Sequence, residues 1–103
     1  PWDTAKDVDE SAVITPLRQM SEVPSVASGR IHLSQNGTVK QDADLSEMVW
    51  SVPEIIADLS TMYTLQQGDV IYMGTPAGVG AVSRGDVLTG GVEGIGDFEV
   101  KIA

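Results

Sequence analysis

The sequence predicts an α+β fold, rich in strands and arranged around one main helix. Three observations carry this. An Asn36-Gly37 pair sits between two stretches that alternate polar with apolar residues, which is the strongest short-range signal for a β-hairpin. From Val52 onward apolar residues recur at spacings of three and four, the period of a helical face. Near the C-terminus two short runs, 86–92 and 97–102, have the composition of strands.

In chain order, the segment from Pro1 to Gly29 carries Pro16, Pro24 and many small residues with no sustained period, so it reads as extended loop with a short strand near 11–15. The hairpin follows over 30–41. A short helical turn is expected near 46–50, then the main helix over 52–63. Ser51-Val52-Pro53-Glu54 has the form of a capping box, Ser51 serving as N-cap and Pro53 tolerated in the first turn. Gly68 marks the exit. Val70-Ile71-Tyr72-Met73 is a continuous apolar run and predicts a strand buried on both faces. In the last strand Phe98, Val100 and Ile102 face one way, and Asp97, Glu99 and Lys101 the other.

The chain has 103 residues, enough for one small domain. It opens on Pro1, which reads as the middle of a longer protein. Its 15 acids against 6 bases give a formal charge of −9. That balance repels phosphate backbones and anionic lipid, so a nucleic acid or membrane partner is not expected. The bases are scattered singly, so any one of them in a site would act as a local cation in an acidic field. Without cysteine there is no disulfide framework, no thiolate ligand and no Cys nucleophile, which is compatible with a reducing cytosol and a cytoplasmic location. No apolar run approaches the ~20 residues of a membrane-spanning helix.

The segment with most chemical content is Gly74-Thr75-Pro76-Ala77-Gly78-Val79-Gly80. Three glycines and a proline in such a stretch suit neither helix nor strand but do suit a backbone held close to something. Amides and hydroxyls presented from such a loop can bind a carboxylate or an oxyanion. The spacing matches neither a P-loop nor a dinucleotide-binding fingerprint. Other groups attract attention but have plainer explanations. Asp7-Val8-Asp9-Glu10 resembles a cation site, yet adjacent loop acids are usually solvated and a metal needs converging oxygens. His32, between Ile31 and Leu33, reads as an exposed strand residue. Asp97 and Glu99 read as the solvent face of their strand.

The run Gly68-Asp69-Val70-Ile71-Tyr72-Met73-Gly74-Thr75-Pro76-Ala77-Gly78-Val79-Gly80, with Gly85-Asp86-Val87 and Glu93-Gly94-Ile95-Gly96 after it, resembles the C-terminal signature of the fumarylacetoacetate hydrolase family. Ser46 to Ile56 resembles the helical segment before that signature. Trp2-Asp3-Thr4-Ala5-Lys6-Asp7-Val8-Asp9 resembles the loop that carries a family active-site lysine. The wording is most similar to the fumarylpyruvate and acylpyruvate hydrolase branch.

The resemblance implies a partial, β-rich, mixed-sheet fold, with residues 1–103 the C-terminal portion of a single catalytic domain whose N-terminal half is absent. It implies metal-dependent hydrolysis of a C–C bond in an acylpyruvate-type diketo acid, releasing pyruvate or a related 2-oxo acid. The related reactions are isomerisation or decarboxylation of similar 2-oxo acids, and a third reading is a non-catalytic fragment that only associates with a partner chain. Lys6 matches the catalytic lysine, and Thr75, with Gly74 beside it, matches the position that binds substrate carboxylate. Thr89 stands where animal members carry a catalytic glutamate. The cofactor implied is Mg²⁺, or Mn²⁺ or Ca²⁺ in its place. Its ligands lie outside this chain, so no residue here is assigned to metal. The implied partners are the small diketo acid, the missing N-terminal half and a second copy in a homodimer.

Overall fold

The computed structural model describes residues 9–103. A 3-10 turn at Met20–Glu22 precedes β1 (Arg30–Gln35) and β2 (Thr38–Asp44). A second 3-10 turn at Leu45–Glu47 leads to helix α1 (Val52–Met62), and β3 (Val87–Val92) and β4 (Gly96–Lys101) close the chain. The strands form one four-stranded sheet in the order β2-β1-β3-β4.

The hairpin stands where the Asn-Gly pair puts it. Asn36 and Gly37 both have positive φ, 51° and 82°, the conformation a two-residue turn of the primed type requires. Helix α1 starts on the expected cap: Ser51 Oγ accepts from the Glu54 amide at 3.3 Å and Glu54 Oε1 accepts from the Ser51 amide at 3.0 Å. This reciprocal bonding satisfies two orphan donors of the first turn, and it holds the Glu54 carboxyl below the ordinary carboxylate range. Val52, Ile55 and Leu59, on one stripe of the helix, are its half-buried residues.

Residues paired across an antiparallel ladder share a face, and the register sorts the sheet cleanly. Ile31 pairs with Ala43 and Val92, Leu33 with Gln41 and Gly90, Gly90 with Phe98, and Leu88 with Val100. These lie on one face, apolar except for Gln41 and, at the turn end, Gln35 and Thr38, which pair with each other beside Leu88. Arg30, His32, Asp42, Asp44, Thr89, Asp97 and Glu99 lie on the other. There Arg30 makes a two-pronged ion pair with Asp42, at 2.8 and 3.1 Å, which raises the arginine's pKa and lowers the aspartate's.

Three sequence expectations are corrected. Val70–Met73 joins no ladder among the described residues, and Val70 and Tyr72 are 58% and 62% exposed, while Ile71 and Met73 are half-buried. The apolar run therefore lies with one side inward as an extended segment, tied down by Tyr72 Oη donating to the Val13 carbonyl at 3.2 Å. Without that strand the sheet of the described residues is not mixed. All three of its ladders are antiparallel; the short turns require this of β1–β2 and β3–β4, and β1–β3 is antiparallel as well. The segment 11–15 likewise forms no strand.

Candidate functional site

The glycine loop is seated on an irregularity of the hairpin. Between Leu33 and Ser34 the β1–β2 register slips, from Leu33 opposite Gln41 to Ser34 opposite Val39, so Lys40 is a bulged residue without a partner. The bulge brings its carbonyl toward the loop, and Gly78 lies directly on it. A Cβ on Gly78 would collide with the Lys40 carbonyl oxygen, and Gly78 has φ 104° besides. Gly74 is different: its φ is 92° and a Cβ would meet nothing within 4 Å. It is required by conformation, whereas Gly78 is required by contact as well.

The bulge also turns Gln41 onto the apolar face, where it is 8% exposed and is the only buried polar side chain among the described residues. Gln41 Nε2 donates to Thr75 Oγ1 and to the Pro76 carbonyl, both at 2.8 Å. The loop is thus bonded to the sheet at its first hydroxyl and packed on it at Gly78. Thr75 itself is exposed.

Gly74, Thr75 and Pro76 form the wall between two concavities of about 540 and 580 Å³. The first lies between the edge of the apolar face and the entry to α1, lined by Leu45, Met48, Trp50 and Ile55. The second lies over the apolar face, with Leu33, Tyr72 and Phe98 as walls and Arg18 and Thr75 among its polar groups. Arg18 is the one lysine or arginine among the described residues that lines either. A hydroxyl, a guanidinium and apolar walls in one hollow suit a small organic anion.

Of the residues expected at a site, Thr75 and Gly74 stand together at this wall. Lys6 lies outside the described residues, as do Asp7 and Val8. Asp9 and Glu10 sit in an exposed turn. His32 is half-buried rather than exposed and borders the second hollow, and Asp97 and Glu99 are exposed as expected. Among the described residues no group of three or more His, Cys, Asp or Glu could hold a metal ion. The donor set present does not fit a divalent cation bound by these residues alone. Gln41 and Arg18 were not legible as site residues: Arg18 falls in a stretch without period, and Gln41 reaches its face only through the bulge.

The family model for the C-terminal region of fumarylacetoacetate (FAA) hydrolase matches residues 1–103, and the chain belongs to the fumarylacetoacetate hydrolase family. Its fold is that family's. The fumarylpyruvate hydrolase of Pseudomonas aeruginosa, crystallised with Mn²⁺ and pyruvate, superimposes with a TM-score of 0.95 at 38% identity, covering 100% of this chain and 44% of that one. Fumarylpyruvate hydrolase of a Ralstonia species is 49% identical over 102 residues, 99% of this chain and 53% of the relative. The mitochondrial oxaloacetate tautomerase FAHD1 of Rattus norvegicus is 34% identical over 99% of this chain and 46% of its own length. The chain spans about half the length of the curated relatives it matches.

Proposed function

We propose that this chain is the C-terminal half of the catalytic domain of a metal-dependent acylpyruvate hydrolase, with fumarylpyruvate as the first substrate to test. The observation that supports it most is the 49% identity to a fumarylpyruvate hydrolase along almost the whole chain. In this reading water adds its oxygen to the carbonyl carbon distal to the pyruvate unit. The bond from that carbon to the neighbouring methylene breaks, its electron pair leaves as pyruvate enolate, and a proton completes pyruvate and fumarate.

The chain's own part is to hold the substrate. Thr75 donates its hydroxyl hydrogen to the 2-oxo acid carboxylate, Gly74 gives the loop the backbone conformation that points Thr75 into the hollow, and Lys6 supplies a cation near the substrate oxygens. The divalent ion, Mn²⁺ as in the pseudomonad relative or Mg²⁺, takes its ligands from outside the described residues. The working unit is a cytoplasmic homodimer that includes the N-terminal half.

Similarity to an oxaloacetate tautomerase favours a second reading, isomerisation of a 2-oxo acid at the same site. The full-length protein, loaded with Mn²⁺, is assayed for pyruvate release from fumarylpyruvate and for keto–enol interconversion of oxaloacetate. Hydrolysis at the higher kcat/KM supports the proposal. Interconversion of oxaloacetate without hydrolysis of fumarylpyruvate replaces it with the second reading, and activity on neither leaves a non-catalytic association module.

A further inference from the structure

We infer that Gln41 is a positioning residue that occupies one lone pair of the Thr75 hydroxyl and so turns its hydrogen toward an acceptor in the hollow. The inference rests on the reading that this hollow takes a 2-oxo acid. A primary amide carries two N–H donors on nitrogen and acceptor sites on oxygen, and its orientation follows from its partners. The Pro76 carbonyl can only accept, so the group 2.8 Å from it is the amide nitrogen. The same nitrogen is 2.8 Å from Thr75 Oγ1. Its second hydrogen therefore goes to Thr75, whose oxygen accepts.

A threonine hydroxyl has one hydrogen and two lone pairs. With Gln41 donating to one lone pair, the hydrogen is directed elsewhere, and the exposed side of Thr75 faces the concavities. What best takes that hydrogen is a group that accepts only, such as a carboxylate. Burial strengthens the constraint, because Gln41 at 8% exposure has little water with which to exchange its partners. The bulge at Lys40 is what places the amide there, so a distortion of the hairpin is converted into the polarity of a single hydroxyl.

The test is a double-mutant cycle on kcat/KM for fumarylpyruvate in the full-length protein. Gln41→Met keeps length and removes the donor. It should lower kcat/KM roughly tenfold, mainly through KM, and Thr75→Val should remove a similar amount. The double variant should be no worse than Thr75→Val alone, since Gln41 acts through that hydroxyl. Independent, multiplying losses would show a merely structural role and overturn the inference.

Gln41→Glu guards against a folding failure of the methionine variant. Its carboxylate accepts from Thr75, reverses the hydroxyl and opposes the Pro76 carbonyl, so KM should rise further than in Gln41→Met. The defect should shrink as falling pH protonates the introduced carboxylate and restores a donor. An unchanged KM in Gln41→Glu would also overturn the inference. If the wild type shows no turnover, the cycle is read on pyruvate affinity by calorimetry with Mn²⁺ present. Absence of both turnover and pyruvate binding defeats the substrate reading and this inference with it, whereas turnover without Gln41–Thr75 coupling defeats this inference alone.

Discussion

Asp86 shows how much a single half-buried side chain can organise. Its carboxylate accepts from Gln35 Nε2 at 2.7 Å, from Asn36 Nδ2 at 2.9 Å and from the Ser83 amide at 2.8 Å, joining the hairpin turn to the start of β3. The Ser83 amide, then Asn36 and Gln35, hold its pKa below the ordinary 3.8. Because the folded value is depressed, the stabilisation is fully present above pH 3.8 and is lost as pH falls through the lower folded value. Thermal melts of the full-length protein should show Asp86→Asn with a lower Tm at neutral pH and a shallower decline in acid than the wild type; parallel profiles would contradict this. Thr75→Val should act mainly on activity. It removes a bond to a charged group worth about 1.5–3 kcal/mol, so kcat/KM on fumarylpyruvate should fall roughly ten- to a hundredfold, and because it also leaves a buried Gln41 N–H without its acceptor, Tm should fall modestly. An intact kcat/KM would make the loop a structural connection only. Thr75 stands out in the sequence as the hydroxyl of a glycine loop, whereas its hydrogen-bond partner Gln41 does not, since in an unbroken ladder Gln41 would have paired with His32 on the polar face.

At the scale of elements, local signals succeeded wherever the determining contacts were local. The Asn36-Gly37 turn and the Ser51–Glu54 cap depend on residues within a few positions of each other, and both formed as expected. Val70–Met73 failed because an apolar run reports an affinity for burial but not a ladder partner. The bulge at Lys40 carries no local signal either, and the loop that packs on it lies nearly forty positions further along. Gly78 makes that dependence testable. Gly78→Ala combines a backbone at φ 104° with a collision against the Lys40 carbonyl. It should cost about 2 kcal/mol or more of stability and displace Thr75, lowering Tm and kcat/KM together. A Gly78→Ala protein with wild-type Tm and activity would show that the loop is not seated on the bulge.

The whole molecule is loosely closed. It exposes 8247 Å², whereas a compact monomer of its 10.9 kDa exposes about 5,600 Å². Its radius of gyration is 14.9 Å against about 13 Å for a compact chain of ~100 residues. No hydrophobic side chain among the described residues is buried. A sheet with one apolar and one polar face needs cover on the apolar one, and half-length coverage of the relatives agrees with the proposal that the rest of the domain supplies it. Calorimetric titration of the isolated 103-residue chain with Mn²⁺ should show only weak binding, because the described residues provide no converging carboxylates; a tight stoichiometric site would contradict that assignment. Pyruvate release from fumarylpyruvate by the full-length protein, measured as Mn²⁺ is titrated into a chelator-treated sample, is the decisive test of a metal-dependent acylpyruvate hydrolase. The rate should rise from near zero to saturation with added Mn²⁺. Undiminished pyruvate release in the presence of chelator, or none at any Mn²⁺ concentration, would contradict the account.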